Sequence, residues 1–142
     1  MSARQTSHRF IDIWVNCPDI ETAKHITDAA LERRLAACAN VWGRISSTYR
    51  WQGEIKSGEE YVLALKTRAE LFQPICEVVH ALHTYEAPAI YAFDIADVDG
   101  GYANWLLAET ENPDLPGQES TSAETPDAAS QDSPTGEDGK AR

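Results

Sequence analysis

Four histidines and three cysteines hold most of the metal-ligating and nucleophilic potential of this chain. His80 and His83 stand three residues apart in a stretch with helical apolar spacing, which places two imidazoles on neighbouring helix surface. Two imidazoles make half a metal site, because zinc sites take three or four protein ligands. Cys17, Glu86, Asp94 and Asp97 would add ligands only if the fold brings them close. The competing reading is structural: the helix dipole favours a cation near a helix C-terminus, and His83 is then a satisfied structural histidine. His8 and His25 lie in polar surroundings and read as solvated. The cysteine count is odd and there is no Cys-x-x-Cys pair, so Cys17, Cys38 and Cys76 read as reduced thiols in a reducing compartment. Cys38 follows directly on an expected helix, whose negative C-terminal end would raise a thiol pKa and argue for a structural role.

The residues that would support catalysis are sparse. The sequence has no Gly-x-Ser-x-Gly elbow, no Walker loop and no His-Glu-x-x-His pair. Glu59 and Glu60 are adjacent, but neighbours in a strand point to opposite faces. A hydrolase built like the acylphosphatases needs a glycine-rich anion cradle after its first strand, with an Arg and a helix N-terminus. Here that loop is Asn16-Cys17-Pro18-Asp19, which has no glycine and adds a carboxylate that repels phosphate. A binding or regulatory module is therefore expected over an enzyme.

The elements that must position these residues come from a chain of 142 residues with net charge −11, long enough for one domain. Residues 1–108 hold 14 acidic and 10 basic side chains, a net −4, whereas residues 109–142 hold 9 acidic and 2 basic, a net −7. The excess charge thus sits at the C-terminal end. With no basic stripe a nucleic-acid partner is disfavoured, and no run reaches the roughly 20 apolar residues of a membrane span. The polar start lacks an apolar signal region, which leaves the cytoplasm as the expected location. Composition divides the chain into a polar leader (1–8), a folded domain (9–110) and an acidic tail (111–142). The tail is rich in Pro, Ser, Thr, Asp, Glu and Gly, too poor in apolar surface to offset its ordering entropy, and is expected to be disordered.

Within the domain, residues 9–17 read as a strand, and Pro18-Asp19 ends it with Asp19 as a helix N-cap. A helix is expected over 20–37 from Ala23, Ile26, Ala30 and Leu31, with Leu35 one turn on. Two long strands follow, 38–51 and 55–67, joined at Gln52-Gly53-Glu54, with Gly43 marking a bulge or bend. A second helix is expected over 69–82, with Pro74 tolerated if the regular helix starts late. A short strand over 89–96 and a final helix over 101–109 close the domain. The order βαββαβ plus a terminal helix predicts an α+β ferredoxin-like sandwich with a long hairpin between its second and third strands. Both main helices then lie on one sheet face, the other is apolar and uncovered, and association of copies covers it.

Five strings sharpen this reading. Glu32–Val41 (ERRLAACANV), Ser47–Ile55 (STYRWQGEI), Ala64–Thr67 (ALKT), His83–Ile90 (HTYEAPAI) and Tyr102–Leu106 (YANWL) resemble, in the same order and spacing, segments of the CutA family. The resemblance covers about residues 9–108 and implies a cytoplasmic homotrimer of ferredoxin-like subunits linked to tolerance of divalent cations such as copper. It also suggests likeness to trimeric PII-type signalling proteins, which take small ligands between subunits. In some CutA members a first-strand Cys, the His of His-x-Tyr-x-x-Pro and a Glu after its Pro are proposed copper ligands. Here those positions are Val15, His83 and Ala89, so only the histidine is kept. Cys17 would stand in for Val15 two residues on, which makes His83, His80 and Cys17 the metal candidates. Tyr49, Trp51, Glu59, Lys66, Tyr85 and Trp105 are the candidates for an intersubunit cleft, with Arg68 beside them, and packing at a subunit seam is the alternative role for each.

Overall fold

The computed structural model describes residues 8–112. The expected leader (1–8) and tail (111–142) lie outside the described residues, except for positions 8, 111 and 112. The chain forms β1 (Phe10–Cys17), α1 (Ile20–Glu32), β2 (Cys38–Trp51), β3 (Glu54–Arg68), a 3-10 turn (Ala69–Leu71), α2 (Phe72–Leu82), β4 (Ile90–Ile95) and α3 (Gly100–Glu109). The four strands make one antiparallel sheet in the order β2-β3-β1-β4, which is the ferredoxin-like α+β arrangement.

Strand alternation divides the residues between the faces. Ile11, Ile13, Val15 and Cys17 of β1, with Leu63 and Leu65 of β3, are buried against Ala23, Ile26 and Ala30 of α1 and Ile75, Val78 and Val79 of α2. Asp19 caps α1, its carboxylate accepting the Thr22 N–H at 2.7 Å. Pro74 sits in the first turn of α2, where its missing N–H removes no intrahelical bond.

The first helix is shorter than expected. It stops at Glu32 because Arg34 takes φ +58°, while Arg34 N–H donates to Leu31 O and Leu35 N–H to Ala30 O. This is a Schellman stop with arginine in the left-handed position usually held by glycine. Leu35 is buried from the following loop, so it keeps the helical apolar pattern without being helical. Cys38 therefore opens β2 opposite Lys66 and does not sit at a helix C-terminus.

The expected open face is also partly covered. α3 lies over its Arg68 end, burying Leu106, and Arg68 donates from Nε to Thr110 Oγ1 at 2.8 Å and from Nη2 to Leu107 O at 2.7 Å. Arg34 reaches the Ala108 carbonyl from another side. Two guanidinium groups thus meet the last carbonyls of α3, where the helix dipole favours cations. Beyond β1, residues 45–51 and 54–60 pair only with each other and form a projecting ribbon.

Candidate functional site: an aromatic sheet face and its polar foot

Opposite the helices, Trp14 of β1 is the centre of an aromatic group. Its ring lies 4.9 Å from Trp42 of β2 and 5.0 Å from Phe93 of β4, both edge-on, and 6.2 Å from Tyr91. The register requires this, because Trp14 pairs with both Ala64 and Tyr91, and Ala64 leaves room for the larger rings on either side. Trp42, Tyr91 and Phe93 remain 39, 41 and 49% exposed, which is unusual for three large rings gathered about a fourth. Sequence reasoning placed these residues on strands but missed them as a site. Their signal was positional: each lies at the strand parity opposite to the core residues.

At the foot of this group lies a polar seam. Trp14 Nε1–H donates to Asp12 Oδ2 at 3.1 Å, and Lys66 Nζ donates to Asn40 Oδ1 at 2.9 Å. Lys66 stands 3.9 Å from Asp12 Oδ1, an ion pair too long for a hydrogen bond. Tyr102 of α3 closes the seam beside Cys38 and stacks with Trp105 at 5.5 Å. Burial first, and then the adjacent Cys38 thiol, push the Tyr102 hydroxyl above its usual range.

The cleft candidates fall in separate places within one subunit. Lys66 and Trp105 flank this seam. Tyr49 and Trp51 lie far along the ribbon, and Glu59 pairs there with Arg44 at 3.1 Å. Tyr85 lies in the loop between α2 and β4, its ring 4.6 Å from that of His83.

The metal candidates are likewise separated by their environments. His80 is exposed on α2, whereas His83 is 9% exposed at its C-cap. His83 Nε2 lies 2.7 Å from Asn16 O, and its Nδ1 accepts the Tyr85 N–H at 3.1 Å. Cys17 lies wholly within the apolar core, where burial, then the charges of Asp19 and Glu60, push its thiol up to about 12. A thiol must lose its proton to ligate a metal, so this environment opposes ligation. The three side chains do not fit together as a ligand set in the subunit, and among the described residues no group of three or more His, Cys, Asp or Glu is gathered.

A ferredoxin-like α+β domain with an exposed aromatic sheet face and a projecting two-stranded ribbon defines the class of protein. Comparison with known proteins gives the family: residues 11–109 match the CutA1 divalent ion tolerance protein family, and the chain belongs to it. A divalent-cation tolerance protein CutA of Thermus thermophilus is 40% identical over 98 residues, covering 69% of this chain and 95% of that protein. The chloroplastic CutA protein of Arabidopsis thaliana is 35% identical over 102 residues, covering 72% of this chain. The chain spans only 56% of that plant relative's length. The crystal structure of CutA1 from Oryza sativa superposes with a TM-score of 0.71 at 32% identity, covering 75% of this chain and 98% of that one. Among the described residues no helix is long and apolar enough to cross a membrane.

Proposed function

We propose that the chain works as a trimeric divalent-cation tolerance protein, a binding or regulatory module without catalytic chemistry that responds to metal ions, with copper as the candidate cation. The observation that carries this reading is the contiguous exposed aromatic face of Trp14, Trp42, Tyr91 and Phe93. Burying three such rings against other copies gains about 25 cal/mol per Å² of apolar surface removed from water. Association also supports the cleft reading, since Tyr49 and Trp51 on the ribbon of one copy can meet Lys66 and Trp105 only on another. The capped N-terminus of α1 speaks against a hydrolase: the Asp19 carboxylate already accepts the Thr22 amide and sets a negative charge where a phosphate would have to bind. Three free cysteines support a cytoplasmic location.

Light scattering on the full chain, followed by copper titration of the assembled species, tests the reading. A mass near three chains and saturable copper uptake are expected. A monomer at micromolar concentration would remove the cleft, and a trimer that takes up no copper would remove the cation.

A further inference from the structure

We infer that His83 is a positioning residue that fastens the loop between α2 and β4 onto the end of β1, and that a divalent cation does not take it as a ligand in this chain. The geometry at Asn16 points to this. The His83 imidazole meets the Asn16 carbonyl at 2.7 Å, and the Asn16 N–H donates to Ala89 O at 3.2 Å. One residue of β1 therefore holds both ends of the segment 83–89, using both of its backbone polar groups.

The hydrogen-bond chemistry fixes the state of the ring. The Tyr85 amide can only donate, so Nδ1 is the acceptor and carries no proton. The Asn16 carbonyl can only accept, so Nε2 carries the proton and donates it. The neutral ring satisfies both contacts at once. A cation at Nδ1 would displace the Tyr85 amide, and a cation at Nε2 would displace the proton shared with Asn16. Either event strips a half-buried backbone group, the Tyr85 amide or the Asn16 carbonyl, of the bond it makes to an imidazole that is itself only 9% exposed. The His83 N–H is also committed, to Val79 O at 2.7 Å, which fixes the backbone at the end of α2.

What the clamp positions is Tyr85, whose ring leans on the imidazole at 4.6 Å and 56°. The Tyr85 side chain thus owes its place to His83 on two counts, an amide hydrogen bond and a ring contact. This assignment stands on subunit geometry alone, and holds whether the protein is one chain or three.

The test uses the full chain with 15N-labelled histidine and zinc, a diamagnetic probe. His83 should show one protonated and one unprotonated ring nitrogen, with Nε2 the protonated one, and both signals should stay in place as zinc is raised to several equivalents, whatever His80 does. His83→Phe keeps a ring but loses both side-chain bonds. In that variant the Tyr85 amide should exchange with solvent at least tenfold faster, while the Asn16 amide keeps its protection through Ala89. Zinc-dependent movement of the His83 nitrogens would overturn the inference, as would unchanged Tyr85 exchange in the variant. If the variant does not fold, the zinc titration of the unaltered chain still decides.

Discussion

Arg68 and Thr110 are joined side chain to side chain across 42 positions of sequence, Nε to Oγ1 at 2.8 Å, with both residues almost fully buried. The same guanidinium reaches Leu107 O, and Thr110 donates to Leu106 O at 2.6 Å, so Arg68 ties down the last turn of α3 from the sheet side while Arg34 holds the Ala108 carbonyl. Arg68→Ala should lower unfolding stability by about 2–4 kcal/mol, since it strips a charged donor from buried acceptors. Urea denaturation measures the loss, and faster amide exchange confined first to α3 would place it. Arg68→Lys should recover only part, because a single ammonium cannot reproduce the planar two-point contact.

The aromatic face gives the second prediction. Trp42→Glu places a carboxylate beside Trp14, at the edge of the aromatic face, at a position 39% exposed in the subunit. A lone subunit tolerates this change, whereas a copy packed against the face must bury the charge. Light scattering should show the variant at lower mass than the unaltered chain, with the far-ultraviolet circular dichroism of the subunit preserved.

The third concerns alkaline pH. The Cys17 thiol rises from an ordinary value of 9.0 to about 12, chiefly through burial, so the folded state holds its proton where the unfolded state has lost it. The unfolded state therefore binds fewer protons between about pH 9 and 12, and stability falls as pH rises through that window. Cys17→Ala should be less stable at pH 7 through the cavity it leaves, yet lose less further stability between pH 8 and 10. Melting temperatures of the two proteins across that range provide the check. Native Cys17 should also resist alkylation at pH 8, a reaction followed by mass spectrometry.

Gly43 provides the fourth. Its φ is +153°, and an added Cβ would lie 2.8 Å from Tyr61 Cδ1 and 3.0 Å from Glu60 O. Neither the backbone angle nor the space accepts a side chain, and one of the close atoms is backbone. Gly43→Ala should cost at least about 1 kcal/mol, measured by denaturation. Gly53→Ala, which meets no atom within 4 Å but also has positive φ (+82°), should cost less.

Much of this architecture was written in local patterns. The bounds of β2 follow from its β-branched and aromatic run between Ala37 and Gln52, and Asp19 is legible as a cap because it precedes the apolar stretch of α1. What escaped depends on residues distant in sequence. Leu35 continues the helical spacing while lying in a loop, so the end of α1 at Glu32, set by the left-handed Arg34, could not be read from hydrophobic positions. The docking of α3 rests on Arg68, an ordinary strand-end arginine until Thr110 is brought to it. The site was less legible still. His80 and His83 look equivalent at three-residue spacing, but only the fold supplies the Asn16 carbonyl that separates them. The family strings located Tyr85 and Lys66, whereas the Trp14 cluster emerges only when the strands are laid in register.

The ribbon of residues 45–51 and 54–60 extends about 20 Å past the last pair of β1 at the usual rise per residue. Two strands without a third layer are barely stable alone in water. Such an arm has no interior from which to draw stiffness, so in the proposed assembly it takes its support from the copy against which it packs. Dilution that parts it from that support would therefore be felt first at Trp51, well away from the core, as slackening at the tip before any helix lets go.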